Sequence, residues 1–224
     1  MAQDTDTIQG TQEFIPRSLT EVGVYEAELT LATNDSLRNL GHLVDDFATA
    51  EVEIVQWPQQ GHRPVLAGTG LGGGVTEGDF EMKWNGQMLQ THNHAVDGRY
   101  ITGWSCDPSL ASLDKERGQT DFLYTFEANY HPDGGQIFFP TDGKPYVALL
   151  AAPGDDIELE DFKAYYFDGT KGVHINAGVW HQPLFPVGEA QVFEDKQGAV
   201  HACVACNFVE EFGVYVKVPL TFKQ

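Results

Sequence analysis

The chain has 224 residues and a formal charge of −20, from 33 acidic and 13 basic side chains. A chain of this length can bury the core of one β-rich domain, and its negative charge would repel a nucleic-acid backbone. No apolar stretch approaches the roughly 20 residues that cross a bilayer, and the first residues lack a signal-peptide pattern. We therefore predict one cytoplasmic domain over residues 1–224, with no nucleic-acid or membrane partner.

Residues 1–75 are predicted to form an N-terminal extension of this domain. Within them, apolar residues recur at spacings of three and four, which is typical of a helix covering about 35–49: Leu37, Leu40, Val44 and Phe47. A glycine-rich loop follows and contains a G-x-G-x-x-G match at Gly68, Gly70 and Gly73. The next residues, VTEGDFEMKWNG, have strand character and offer no helix N-terminus for a pyrophosphate. We expect no nucleotide cofactor.

Beyond the extension, short runs of β-branched and aromatic residues alternate with glycine, proline and aspartate. The runs include DFEMKWNG, RYITGWSC, TDFLYTFEANYHP, KPYVALLAAPG, FKAYYFDG and VYVKVPLTF. This pattern predicts a mainly all-β fold, a barrel or sandwich with one or two short helices.

His92 and His94, in the stretch QTHNHAVDG, form an H-x-H pattern on one strand. Residues two apart on a strand share a face, so both imidazoles would point the same way. With Asp97 nearby, one interpretation is that they are the ligands of a separate metal site, and the alternative is that this strand lies beside the active site.

The stretch NYHPDGGQIFFPTDG carries a second pattern. Asn129, His131, Gln136 and Gly143 have the spacing of the first metal-binding motif of the cupin superfamily, H-x-H, three or four residues, E, six residues, G. Amides replace the first histidine and the glutamate. Asn129 and His131 share a strand face, and Gln136 returns on the next strand after a tight turn.

The stretch GVHINAGVWHQPLFP resembles the second cupin motif, which contains P-x-G-x-x-H. Asn176, Gly178 and His181 occupy its positions, with asparagine in place of proline. A cupin-like β-barrel or jelly roll would gather His181 with the first-motif residues. The resulting ligand set suits a divalent metal, namely nickel, zinc, manganese or iron: Asn129, His131, Gln136 and His181. The alternative is that these histidines are ordinary satisfied core residues.

Residues 129–190 also resemble the ureidoglycolate lyase family, also known as ureidoglycolate hydrolase. The resemblance rests on residues kept in the order of the family pattern: His131, Pro132, Gly134, Gln136, Phe138, Pro140, Gly143, Gly169, Gly172, Val173, Val179, Trp180, His181, Pro183 and Leu184. It implies a cupin-like homodimer that cleaves ureidoglycolate, a small carboxylate, to glyoxylate and urea in purine breakdown.

The departures from this family pattern concern the site itself. His174 and Asn176 exchange the family's Asn and His, Ala177 replaces an arginine, and Gln182 replaces a second histidine. Because positions 174 and 176 share a strand face, a histidine is still expected to point into the barrel. The lost arginine would have formed a bidentate contact with a carboxylate, so the substrate is expected to be bound differently.

The resemblance and the spacing together predict two groups of site residues. The catalytic group is His131, Gln136, His174 and His181. The substrate-binding group is His92, Asn176, Trp180 and Gln182, although Trp180 also suits packing in the barrel wall. Two other functions stay open: another metal-dependent cupin enzyme, such as an isomerase or dioxygenase, and a non-catalytic small-molecule binder.

Overall fold

The computed structural model of the chain describes residues 14–55, 61–70, 72–118 and 121–222. The first 13 residues of the predicted extension therefore lie outside the described residues. The strands in the described ranges are β1 Gly23–Glu26, β2 Glu28–Leu31, β3 Gly41–Val44, β4 Val75–Asn85, β5 Met88–Asn93, β6 Gly98–Trp104, β7 Phe122–Thr125, β8 Glu127–Tyr130, β9 Gln136–Pro140, β10 Tyr146–Ala151, β11 Lys163–Phe167, β12 Gly172–Ile175, β13 Trp180–His181, β14 Phe185–Pro186, β15 Ala190–Gly198, β16 Val204–Asn207 and β17 Val214–Pro219.

Helical structure is a minor part of the described chain. It consists of one α-helix, α1 Phe208–Glu211, and the 3₁₀ turns Pro108–Leu110 and Leu159–Asp161. No helix of the described residues has the length and apolar character needed to span a membrane. The prediction of a mainly β fold with short helices is confirmed.

The strands form two sheets that pack face to face as a jelly-roll-like sandwich. The ten-stranded sheet has the order β1-β17-β7-β6-β5-β4-β15-β9-β12-β3, and the seven-stranded sheet has the order β16-β8-β13-β10-β11-β2, with β14 also paired to β10. Tyr146 of the smaller sheet meets Phe193 of the larger one, with ring centroids 5.1 Å apart. These two rings identify the inner face of each sheet.

Sequence alternation explains which side of a strand is buried. In β4, Phe80, Met82 and Trp84 are buried, whereas the charged residues between them are exposed. A strand with one face on the core and one in solvent requires this period of two. In β10, by contrast, all six residues are buried, and its sequence YVALLA is apolar without alternation.

The helix predicted over 35–49 is wrong. Residues 34–40 form turns, and β3 then pairs with β12. Asn39 has a φ of 70°, in the left-handed region that a helix does not use. Gly41 approaches β12 so closely that a Cβ there would lie 1.9 Å from the carbonyl oxygen of His174. Strand pairing thus overrides a weak helical periodicity, while Leu37 and Leu40 are still buried.

The three strands before residue 45 all lie at the ends of sheets. β1 pairs with β17, β2 with β11 and β3 with β12, and each is the terminal strand of its sheet. The glycine-rich loop that follows leads directly into β4, as its sequence predicted, and not into a helix.

Candidate functional site

The smaller sheet presents a row of polar side chains to the interior. His181 of β13 lies directly opposite Asn129 of β8 and Leu150 of β10. Leu150 is four residues from Tyr146 on the same strand, so it shares the inner face that Tyr146 defines. Asn129 and His181 therefore point between the sheets.

Two imidazoles meet at this position. The ring centroids of His131 and His181 lie 5.1 Å apart, and His131 also stacks on His201 at 4.4 Å. Nδ1 of His131 lies 2.9 Å from the carbonyl oxygen of Ala202, and Nδ1 of His181 lies 2.8 Å from that of Val179. Because a carbonyl only accepts, each Nδ1 carries the proton, which leaves the lone pair on Nε2.

Both imidazoles are neutral near physiological pH. Burial, with a smaller contribution from nearby His201, lowers the pKa of His181 to about 4. Burial also lowers the pKa of His131 well below its ordinary value, with contributions from His201 and His181. The two Nε2 atoms can therefore act as metal ligands or hydrogen-bond acceptors without first losing a proton.

The larger sheet contributes an amide and carboxyl network. Nε2 of Gln136 donates to Oδ1 of Asp195 at 2.7 Å and to Oε1 of Gln197 at 2.8 Å. Gln197 also accepts from Asn93, and the adjacent Gly198 donates its backbone N–H to Nε2 of His201. The network thus connects Gln136 to the imidazoles through β15. Both amide hydrogens of Gln136 are committed, so its side chain is held in place within this network.

Asp195 is a residue that motif reasoning missed. It is fully buried, and burial raises its pKa to about 8 despite hydrogen bonds from Gln136 and Asn93. Its Oδ2 has no hydrogen-bond partner, which fits a protonated carboxyl better than a buried anion. Alternation in QVFEDKQG places Asp195 on the inner face with Phe193, so strand periodicity contained the signal.

The raised pKa of Asp195 predicts how stability changes with pH. The unfolded carboxyl ionises near pH 4 and the folded one near pH 8, so the unfolded state binds fewer protons between these values. Stability should therefore fall as pH rises from 4 to 8, by at most about 1.4 kcal/mol per pH unit from this group. Asp195→Asn, which mimics the protonated acid, should flatten this dependence in urea unfolding of chelator-treated protein. An unchanged pH slope in the variant would show that Asp195 is ionised.

Solvent reaches part of the interior at three side chains, those of Glu127, Tyr100 and Cys203. Each is surrounded by other protein groups, yet each side chain keeps some contact with solvent. Burial raises the pKa of Glu127 to about 7, and that of Tyr100 is raised by burial together with Cys203, Glu127 and Asp195. The phenol is thus near carboxyls of both sheets. Glu127 and Asn129 are two residues apart on β8 and share a face of the strand. The alternation of side-chain directions along FEANYH could have identified Glu127 from the sequence.

The side chain of Asn129 indicates whether the residues here fit a metal ion. Its Oδ1 is buried and has no hydrogen-bond partner, on the same face as His181. A buried amide oxygen without a partner is costly, and a cation or a water molecule would satisfy it. Together with two lone-pair Nε2 atoms, this oxygen fits a divalent transition metal, although neutral ligands leave most of its charge uncompensated. Gln136 has both amide hydrogens committed to Asp195 and Gln197, so only its Oε1 could act as a ligand.

His174 does not point into the barrel, so this part of the prediction is wrong. On β12, Ile175 lies opposite Gln136, whereas His174 lies opposite Ile137 and therefore on the outer face. There His174 stacks on His42 at 4.7 Å, and its Nε2 lies 2.8 Å from Oε2 of Glu53. Positions 174 and 176 are two residues apart and so share a face of the strand, as predicted. The inner face of β12, however, carries the odd-numbered residues Val173 and Ile175.

Because His174 lies on the outer face, the substitution His174→Ala should leave the catalytic rate nearly unchanged. The variant loses the contact with Glu53, whose carboxylate also accepts from the backbone N–H of Ala177. We expect kcat/KM to change less than about twofold, and stability to fall by about 1 kcal/mol for a lost charge-assisted contact. Steady-state kinetics and urea unfolding measure the two effects. A tenfold loss of kcat/KM at unchanged stability would return His174 to the catalytic group.

His92 also lies outside the barrel, contrary to the prediction that it lines the site. On β5, Thr91 and Asn93 are the buried inner residues, so His92 takes the opposite face. It faces Glu81 of β4 and lies beside His94. The alternative prediction, a separate cluster built on the H-x-H pattern, agrees with this geometry.

The other predicted substrate-binding residues are occupied with packing or backbone contacts. Trp180 is fully buried, and its Nε1 donates to the carbonyl of Gly154 at 2.7 Å. Gln182 is also buried and donates its amide to the backbone carbonyl of Glu127. Asn176 is half-buried in the turn after β12, where its backbone N–H donates to Leu40. Of these three, Asn176 alone remains available to a ligand.

No fully buried arginine or lysine of the described residues replaces the missing family arginine at the inner face. Among the residues described as buried, Lys196 is the sole lysine or arginine. Its register opposite Ile137 places it on the outer face, where its ammonium donates to the carbonyls of Phe47 and Ala50. The buried lysine therefore does not face the interior, and the other lysines and arginines that the structure describes are at least partly exposed.

Comparison with known proteins places these residues in a family context. A family model described as Ureidoglycolate lyase matches residues 119–214. A ureidoglycolate lyase of Pseudomonas savastanoi pv. phaseolicola is 34% identical over 134 residues, which cover 59% of this chain and 77% of that protein. Ureidoglycolate lyases of Salmonella enteritidis and Escherichia coli are each 33% identical over 79 residues, 35% of this chain and 49% of theirs.

The chain thus spans about half the length of the Salmonella and Escherichia relatives and about three quarters of the Pseudomonas one. The segment that the family model matches contains His131, His181, Glu127, Gln136 and Asp195. Since the Pseudomonas relative is 34% identical and is covered over 77% of its length, the chain belongs to the ureidoglycolate lyase family.

Proposed function

We propose that the protein is a lyase that cleaves ureidoglycolate, or a closely related small hydroxy acid, to glyoxylate and urea. The observation that carries this proposal is the pair His131 and His181 beside Glu127 and Asn129, inside the segment shared with the family. Homologues named ureidoglycolate lyase support the reaction class.

The proposed reaction needs two proton transfers. One group takes the hydroxyl proton of the substrate, the C–N bond to the urea nitrogen breaks as the aldehyde forms, and another group protonates that nitrogen. Glu127 suits the base, because its pKa of about 7 keeps part of it ionised at neutral pH while it remains accessible. Tyr100 suits the donor, because its raised pKa keeps the phenol protonated.

The remaining residues would position the substrate. Nδ1 of each of His131 and His181 is paired with a backbone carbonyl, so each Nε2 would be free to accept a hydrogen bond from the substrate. Gln136 and Asp195 would form the opposing wall. A divalent metal held by His131, His181 and Asn129 would supply positive charge for the substrate's carboxylate, which the loss of the arginine at position 177 leaves without a partner. We propose this metal as the compensation for Ala177.

The function is tested by incubating the purified chain with ureidoglycolate and measuring both urea and glyoxylate. Equimolar release of the two products, above the spontaneous rate, is the expected result. The assay is run on chelator-treated protein and again after addition of Ni²⁺, Zn²⁺, Mn²⁺ or Fe²⁺, and we expect one of these ions to restore activity. Glu127→Gln protein provides the matched control for contaminating lyase.

A second function is favoured by one observation, the replacement of the family arginine and second histidine by Ala177 and Gln182. A site with these replacements could serve another metal-dependent cupin reaction, such as an isomerisation or dioxygenation. Metal-restored turnover of other hydroxy or keto acids, without urea release, would support that function. We also propose a homodimer, as the family resemblance implies, and sedimentation analysis would measure it.

A further inference from the structure

The outer face of the larger sheet carries a cluster of three metal-ligating side chains. Glu81, His92 and His94 each offer one ligand atom, and these atoms all lie within 4.8 Å of one another. Among the described residues, no other group of three histidine, cysteine, aspartate or glutamate side chains meets this distance. We propose that these residues form a surface site for a divalent transition-metal ion, separate from the barrel interior.

Strand geometry creates this cluster. Glu81 of β4 lies directly opposite His92 of β5, and His94 follows two residues later on the same side of the chain. The two imidazole rings lie with centroids 3.7 Å apart, and Nε2 of His94 is 3.4 Å from Oε1 of Glu81. A cross-strand pair and its i+2 neighbour thus present three ligands to one point.

A fourth possible ligand, a carboxylate oxygen, lies at the edge of this cluster. Asp97 has a φ of 52°, a left-handed conformation uncommon for residues other than glycine. This turn brings its Oδ1 to 3.1 Å from Nε2 of His92. Asp97 can therefore fix the orientation of the His92 ring or join the coordination sphere.

The ligand types decide which ions would bind. Two imidazoles and one or two carboxylates suit zinc, copper, nickel or cobalt, whereas magnesium and calcium prefer oxygen ligands alone. The carboxylates compensate the charge of the ion, which the neutral ligands of the barrel interior do not. The side chains of His92 and His94 also remain 17% and 40% exposed, so an ion can reach them from solvent.

This site is independent of the proposed lyase activity. His92 points away from the inner residues Thr91 and Asn93, and residues 81–97 lie outside the segment that the family model matches. A bound ion would connect β4 to the turn between β5 and β6. Its expected effect is on the stability of this hairpin, not on turnover.

The test is calorimetric titration of untagged, chelator-treated protein with ZnCl₂. We compare the wild type with the double variant His92→Ala/His94→Ala and with His62→Ala, which removes an exposed histidine that also lies beside two aspartates. The wild type and His62→Ala should bind one more equivalent of zinc than the double variant. Equal stoichiometry and affinity in all three proteins would overturn the proposal.

A milder variant keeps the test valid if the double variant folds poorly. Glu81→Gln retains the shape of an exposed side chain but removes its charge, and it should weaken zinc binding at this site on the order of tenfold or more. In the wild type, zinc should also shift the ring nitrogen resonances of His92 and His94. Unshifted resonances at saturating zinc would overturn the proposal even if calorimetry detects binding elsewhere.

Discussion

Glu127→Gln should reduce kcat/KM for ureidoglycolate by about 10² to 10⁴, the range typical of a lost general base. The amide has the same shape as the carboxyl but cannot accept the hydroxyl proton. Because Glu127 is already partly protonated at neutral pH in the folded protein, the variant should keep the wild-type fold. Steady-state assays of urea release measure the effect, and Glu160→Gln, in the exposed turn Leu159–Asp161, is the matched control.

The same residue predicts the pH profile. The base must be ionised, so wild-type kcat/KM should rise with pH through about 7, the pKa to which burial raises Glu127. A cation bound beside it would lower this midpoint, because positive charge favours the ionised form. A Glu127→Gln variant that retains both the rate and the acidic limb would exclude Glu127 as the base.

Trp180→Ala should cost about 3–5 kcal/mol of the free energy of unfolding, the usual range for deleting a buried aromatic ring. The indole is fully buried, meets Tyr130 edge to face at a centroid distance of 4.6 Å, and has the guanidinium of Arg63 5.3 Å from its centre. Truncation would leave a large cavity and an unpaired carbonyl at Gly154. Urea unfolding followed by circular dichroism measures the loss.

Trp180→Phe separates packing from substrate binding. Phenylalanine keeps a ring but loses the hydrogen bond to Gly154, which should cost about 1–3 kcal/mol with KM unchanged. If Trp180→Phe instead raised KM about tenfold at unchanged stability, Trp180 would be a substrate contact, as the family pattern first suggested.

The fold was predictable from the sequence because it depends on repeated local signals. The alternation in β4 and the apolar run of β10 identify strands directly. The segment 35–49 misled the prediction because its apolar spacing also suits turns followed by a short strand. The close approach of Gly41 to β12, which decides between them, is a tertiary contact that periodicity does not contain.

The site was predictable where motif spacing and strand alternation agree. His131 and His181 come together across β8 and β13, as the cupin-like spacing indicates. His174 and His92 were misplaced because the face of a strand depends on its register with neighbours, and a one-residue difference reverses it. Asp195 and Glu127 belong to no motif, and their importance arises from burial, which raises their pKa values.

The position of β1, β2 and β3 has a consequence for shortened versions of this protein. A chain trimmed before β4 would leave β17, β11 and β12 with rows of unpaired backbone N–H and C=O groups. Open strand edges of this kind pair readily with other chains and promote aggregation. We infer that the N-terminal strands cover these three edges and protect them from pairing with strands of other chains.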